Sequence, residues 1–316
     1  VVTYLAGSHG IEQLQILKAP IGPEGSREYR RILDEFALEK NLVAPLFLSA
    51  SGDSRPKAGW RLRDRCALEH ADIVCPVSIR PGGRLDTLLA EFAGTVDIRD
   101  DFRIPWELGK RAPLPDYSSR DISPSPPGDW LVHWTRSSAG PWPGEKAWEF
   151  YRDVLKHPGA LVRSAEETLV RILTEKRIAG STWRLPRNAT AVSFSSLEAS
   201  EAIHLMRWRK RFVRFSFEPY GVAVRVGVLL DRGARPVEYI VDDAPAASSD
   251  KRIFQHAKGA LTDWESEREW RIGGDVDLAG IDAGSLLAVV PDIRSAGRIR
   301  AGTGDCVPVH VLFSGV

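Results

Sequence analysis

The chain has 316 residues, 43% of them hydrophobic and 27% charged, with a formal net charge of +1. Such a composition excludes a disordered or fibrous chain, and the near-zero charge excludes a global field that would draw the protein to nucleic acid or membrane. Three cysteines, Cys66, Cys75 and Cys306, form no Cys-x-x-Cys pair, which argues against a zinc or disulfide framework and for a reducing, cytoplasmic setting. The opening VVTYLAGSHG reads as no signal peptide, and the longest apolar runs, such as Leu286–Pro291, are strand-sized rather than membrane-spanning.

In chain order, the first hundred residues alternate as βα units. A short β-branched run at 1–6 stops at Gly-Ser-His-Gly (7–10). Residues 26–41 place Tyr29, Ile32, Leu33, Phe36 and Leu38 at helical spacing. A strand over 43–50, a helix over 59–71, an apolar strand over 72–79 and a helix after the Gly82–Gly83 turn complete the alternation. This predicts a Rossmann-like α/β domain over residues 1–98. From 99 to 129 proline, serine and charge replace periodic apolar residues, as in a linker.

Residues 130–316 read as a mixed, strand-rich α+β domain. Strands are expected at 130–135, 189–196, 213–218, 221–230, 267–272, 285–291 and 306–313. Helices are expected at 146–157, at 164–178 and at 197–212. Ser164 followed by Glu167 signs the second of these with a capping box.

Candidate chemistry follows from the alternation of strand faces. Residues 131–136, LVHWTR, set His133 and Thr135 on one face, and residues 191–196 do the same for Ser193 and Ser195. In WESEREWRI (264–272), an extended chain aligns Glu265, Glu267 and Glu269. Together these predict a polar sheet face carrying a histidine, hydroxyls and a carboxylate. The plain alternative is a solvated charged surface. A helical reading of the same stretch pairs Glu267 with Arg271 but sets Glu265 against Glu269. In the first half, Gly82 and Gly83 at a strand-to-helix turn, with Arg80 or Arg84 as counter-charge, could admit a phosphate. The alternative is a tight turn that merely needs glycine. Residues 207–214 hold five basic residues, Arg207, Arg209, Lys210, Arg211 and Arg214, interleaved with Trp208 and Phe212. They suit either a nucleic-acid contact or a solvated helix face. The seven histidines show no metal-binding spacing.

The order of these pieces, His-x-Thr, then Ser-x-Ser, then a late Glu-x-Glu, resembles the ADP-ribosyltransferase superfamily over roughly residues 130–290. The resemblance implies NAD as substrate, with His133 holding its ribose, Ser193 and Ser195 shaping the pocket, and Glu269 bonding the ribose 2′-hydroxyl, preceded by Glu267. It also makes Thr135 and Arg136 pocket residues. Arg136 or Arg209 would face the pyrophosphate, and Trp134 or Trp270 would stack on a ring. The Trp264–Arg271 stretch also resembles uncharacterised bacterial families in which the tryptophans and Arg271 fix the fold. The first half is similar to nucleotide-sensing domains of the lysine-decarboxylase-like and DNA-processing-A type. The function implied is an NAD-using transferase or NAD-hydrolysing enzyme of bacterial stress or phage defence. The alternative is a non-catalytic protein that binds nucleotide or nucleic acid.

Overall fold

The structure, a computed structural model, describes residues 1–48, 56–106, 115–157, 159, 162–182, 185, 189–209, 214–240, 252–257, 265–304 and 307–314. Cys306, Lys210, Arg211, Phe212 and Trp264 lie outside the described residues. Contacts divide the chain into two compact units, Val1–Ala112 with Lys146–Arg152, and Pro113–Glu145 with Asp153–Val316.

The first unit runs α1 (Val2–Ser8), β1 (Gln13–Leu17), α2 (Pro23–Phe36), β2 (Val43–Phe47), α3 (Pro56–Glu69), β3 (Ile73–Val74), α4 (Arg84–Glu91) and β4 (Asp97–Ile98). β1 pairs parallel with β2 across α2, and β3 pairs parallel with β4 across α4. A parallel pair needs a crossover of this kind. Among the described residues these are separate two-stranded sheets, not one doubly wound sheet. The amphipathic α2 starts with Pro23 in its first turn and ends at Ala37, which sits in the left-handed region at φ 50°. Tyr29 on its inner side donates its hydroxyl to the Val43 carbonyl at 2.6 Å. The expected first strand is instead α1, held by bonds such as Leu5 N–H to Val1 O at 2.9 Å. None of its residues is buried, so its β-branched side chains have no sheet to pack on. The expected 7–10 loop is therefore the last turn of this helix and the turn after it, and its expected place on the carboxyl edge of a sheet is lost.

The second unit runs β5 (Trp130–Trp134), α5 (Ala147–Lys156, its first residues counted with the first unit), α6 (Ala165–Glu175), β6 (Arg177–Ile178), β7 (Ala191–Ser195), α7 (Ala199–Ala202), β8 (Trp208–Arg209) and β9 (Arg214–Phe215). It continues with β10 (Gly221–Arg225), α8 (Val226–Asp231), β11 (Arg235–Pro236), β12 (Glu238–Ile240), β13 (Gln255–Ala257), β14 (Glu269–Gly273), β15 (Val276–Asp277), β16 (Leu286–Val290), α9 (Ile293–Thr303) and β17 (Val309–Val311). A seven-stranded mixed sheet in the order β11-β14-β7-β5-β10-β16-β17 forms its frame. Every pairing is antiparallel except β16 with β17. Within the 99–129 stretch read from composition as linker, residues 115–125 include a strap on this unit: Ile122 bridges Phe313, and Ser123 N–H bonds Leu312 O at 2.8 Å.

Apolar side chains on both sheet faces explain why the sheet is covered twice. Leu131, Phe194, Val222 and Val290 meet Leu169 and Leu173 of α6 and Ile299 of α9 on one face. Val132, Ala223 and Val289 meet Ala202, Ile203 and Met206 on the other. The capping box of α6 forms as expected: Ser164 Oγ accepts from Glu167 N–H at 3.1 Å, and the Glu167 carboxylate accepts from Ser164 N–H at 2.8 Å. Two expectations change. The run after β10 turns helical at Val226. The expected helix over 197–212 shrinks to α7 plus a 3-10 turn and gives way to a hairpin of β8 and β9. No helix among the described residues is long and apolar enough to cross a membrane.

Candidate functional site

The site grows from a defect in the sheet. β5 and β7 share one registered pair, Val132 with Ser195. His133 spans the divergence: its Nδ1 lies 2.8 Å from the Ser193 carbonyl. Because a carbonyl only accepts, Nδ1 carries the hydrogen and Nε2 keeps its lone pair. The ring meets Phe194 edge-on, with centroids 5.8 Å apart. Burial pushes the His133 pKa down to about 4, against the bond to Ser193, which opposes the shift. The neutral imidazole is therefore the state at pH 7.

Ser193 also holds Glu269. Its hydroxyl donates to Glu269 Oε1 at 2.6 Å. Arg271, two residues along β14 and on the same face, closes on both carboxylate oxygens, Nε to Oε1 at 2.8 Å and Nη2 to Oε2 at 3.0 Å. Its third nitrogen, Nη1, donates to the Ile253 carbonyl at 2.8 Å. This fork is the geometry in which arginine binds carboxylate most strongly. Register pairs Glu269 with Ser195 and Arg271 with Ser193, so these four share a face with Val132. His133 pairs with Val222 and lies on the opposite face. The expected single polar face is thus corrected. The histidine and the carboxylate come from opposite faces and meet at the gap, where Ser193 contacts both.

The Glu-x-Glu expectation is corrected as well. Glu265–Glu267 form a 3-10 turn, not a strand, and Arg268 adopts φ 42°, a costly region for a residue with a Cβ. Three anchors hold this turn. Arg268 forks onto Glu201 at 2.6 and 2.9 Å, Ser196 N–H bonds Arg268 O at 3.2 Å, and Ser195 Oγ donates to Glu267 O at 2.6 Å. Glu265 is exposed, whereas Glu267 turns into the site. Burial, reinforced by the neighbouring Glu269 and opposed by Arg209, Arg136 and Arg214, pushes the Glu267 carboxyl up to about 7. The two acidic positions therefore differ in kind: Glu269 is a clamped anion, and Glu267 is poised between neutral and charged.

These groups line a cavity of about 770 Å³, within the size range of small-molecule sites. His133, Thr135, Arg136, Ser193, Ser195, Arg209, Glu267 and Glu269 all border it. Two of those hydroxyls are already committed. Thr135 is buried and donates to the Ala165 carbonyl at 2.8 Å, and Ser195 is buried and holds the 265–268 turn. Arg209 binds Ser216 Oγ through Nε at 2.7 Å. Arg209 and Arg214 thus border the cavity rather than forming a solvated helix face, while Arg207 is exposed. Trp270 packs on the core cluster, and Trp134 stacks on Phe217 with centroids 6.0 Å apart.

Gly82 and Gly83 belong to the first unit and to a different arrangement. Gly82 sits at φ 64°, its N–H bonded to the Asp86 carboxylate at 2.9 Å, and Gly83 N–H bonds Arg80 O at 2.9 Å. Arg84 pairs with Asp64, and Arg80 lies over the Trp106 ring at 5.7 Å. The Gly82 and Gly83 N–H groups and the Arg84 guanidinium thus have partners within the unit, the arrangement of the tight-turn alternative.

Sequence reasoning missed the Pro141-Trp142-Pro143-Gly144 wall, His256, and Asp275 with Arg177. Trp142 is fixed by its indole N–H to Thr168 Oγ1 at 2.9 Å and is flanked by the guanidiniums of Arg163 at 4.0 Å and Arg171 at 4.8 Å. A tryptophan between two prolines in a turn-rich stretch was the available signal. No protein-family model, curated protein or solved structure matches the chain.

Proposed function

We propose that the second unit binds NAD in this cavity and cleaves its nicotinamide–ribose bond, passing ADP-ribose to water or to an acceptor. The observation that carries this reading is the Ser193 bridge, which brings a neutral histidine and a fixed carboxylate to one cavity. Cleavage of that bond develops an oxocarbenium-like cation. A carboxylate that Arg271 and Ser193 hold still stabilises the cation without reorganising. Neutral His133 offers an acceptor, Nε2, suited to a ribose hydroxyl. The wall of Trp142 and Phe194 suits a flat ring.

The test is nicotinamide release from NAD, followed by chromatography. Wild-type protein should turn over, and Glu269→Gln should lose about 100-fold or more in rate while keeping its melting behaviour. A wild-type protein that binds NAD and releases no nicotinamide points to the second reading, a non-catalytic nucleotide-binding protein. One observation favours that reading: both Glu269 oxygens are already engaged by Arg271 and Ser193. A role in bacterial defence and a nucleotide-sensing first unit belong to the proposal on resemblance alone, and a nucleic-acid acceptor at residues 207–214 on their basic and aromatic composition.

A further inference from the structure

Trp134 carries a hydrogen-bond donor that the protein does not use. Its indole N–H is buried and, among the described residues, meets no acceptor. A buried donor left unmatched costs stability, and most such groups in proteins have a partner. The ring borders the cavity and is fixed on two sides. One face stacks on Phe217 with an interplanar angle of 24°. Its Cε3 atom lies 3.3 Å from the point where a Cβ would stand on Gly221 of β10, so the six-membered edge of the indole rests against that strand. The nitrogen sits on the other edge. With β5 between β10 and β7 in the sheet, that edge is turned toward β7, where the two strands part.

The far side of that opening offers a spare acceptor. Val132 pairs with Ser195, so Trp134, two residues on, shares its sheet face with Ser193, Ser195, Glu269 and Arg271. Carried past the gap, the same antiparallel register sets Trp134 opposite Ser193. A carboxylate has about four acceptor sites. On Glu269, Ser193 Oγ and Arg271 Nε take both on Oε1, and Arg271 Nη2 takes one on Oε2. Among the described residues the second site on Oε2 stays open. A single ligand atom bridging these two groups must accept from Trp134 and donate to Glu269. A hydroxyl oxygen does both, whereas a phosphoryl or carbonyl oxygen only accepts and an ammonium only donates. We propose that Trp134 is a specificity-determining residue for a sugar hydroxyl: its indole N–H donates to the hydroxyl oxygen, which turns that group's own hydrogen toward Glu269. The tryptophan then reads the ligand through its nitrogen rather than by stacking on a ring, and the cavity selects ribose over the deoxy sugar. The inference rests on the NAD reading only for naming the hydroxyl, the 2′-hydroxyl of the ribose that loses nicotinamide.

The probes are ADP-ribose and its analogue lacking the 2′-hydroxyl of the terminal ribose, neither of which has nicotinamide to release. In titration calorimetry the wild-type protein should bind ADP-ribose about tenfold or more tightly than the analogue. Trp134→Phe keeps an aromatic ring against Phe217 and removes the N–H. It should weaken ADP-ribose about tenfold and leave the analogue within about twofold, so that the preference for ribose collapses. Replacing Trp134 with benzothienylalanine, which has sulfur in place of the N–H, preserves the shape of the ring. It should reproduce that pattern, and it keeps the test decisive if phenylalanine loosens the wall. A tryptophan that only fills space would affect both ligands alike. Equal weakening of the two, a ribose preference that survives in both variants, or no binding of either compound would overturn the proposal. Nicotinamide release from NAD with the ribose preference intact in the variants removes this role for Trp134 and spares the enzyme. A preference that depends on the N–H, without turnover, does the reverse.

Discussion

The glycine turn of the first unit and the arginine end of the cavity in the second both gather N–H donors of the kind that attract anions. They differ in what the chain itself supplies. At Gly82–Gly83 the donors are consumed within a few residues, by Asp86 and by the Arg80 carbonyl, and Arg84 is neutralised by Asp64. At Arg136 no such acceptor is found among the described residues, and the carboxylates that act on it, Glu267, Glu218 and Glu269, do so only as longer-range charges. A donor-rich motif becomes a binding site only when local satisfaction fails, and local satisfaction is decided by side chains a motif does not mention.

The same contrast separates the two carboxylates of the site, and the largest predicted effect tests it. Arg271 and Glu269 are 6% and 13% exposed as side chains. Arg271→Leu strands a buried carboxylate and should lower the unfolding free energy by about 3–5 kcal/mol in urea titrations. A loss under about 1 kcal/mol would show that the clamp is a surface ion pair and that Glu269 is no more fixed than Glu267.

Next comes the pH profile of stability. His133 has a folded pKa of about 4 against an ordinary 6.5, so the unfolded chain binds the proton first. Its contribution is present above pH 6.5 and is lost as pH falls toward 4, by up to about 3 kcal/mol. Glu267 has the opposite sign. Raised from 4.5 to about 7, it favours the fold below pH 4.5 and loses that contribution as pH rises through 7. Melting temperatures of His133→Asn should decline less than wild type on the acid side, and those of Glu267→Gln less on the alkaline side. Parallel curves for variant and wild type would remove the distinction between the two residues.

The smallest effect sharpens the comparison from the other unit. Gly82→Ala introduces a Cβ into open space at φ 64°, so only backbone strain should register, roughly 1 kcal/mol. ADP-ribose affinity should not change. Any loss of affinity would return the glycine turn to the list of anion sites.

The strands that build the site were legible because alternation survives wherever one face packs on a core: Leu131, Val192, Phe194 and Ile272 are all nearly fully buried. The capped α6 was legible because its signal is local. Elsewhere the signal was ambiguous or absent. The apolar run after β10 suits a strand as well as a helix, and α9, with Gly297 and Gly302 inside it, lacks a helical stripe in the sequence even though Asp292 caps it. The turn at Glu265–Arg268 was out of reach, since a left-handed arginine is set by anchors from β7 and Glu201 far away in the chain. Arg271 was within reach: a strand places i and i+2 on one face, and that spacing from Glu269 predicts the fork.

Position 193 has a consequence for how this site tolerates mutation. It holds His133 through a main-chain carbonyl and Glu269 through a side-chain hydroxyl. Genetic variation can erase the second tether, since among common replacements threonine alone keeps a hydroxyl on the β-carbon, but no codon change that keeps the strand in register removes the first. Saturation mutagenesis at this codon therefore acts on the carboxylate while leaving the imidazole anchored, separating two groups that a single residue joins.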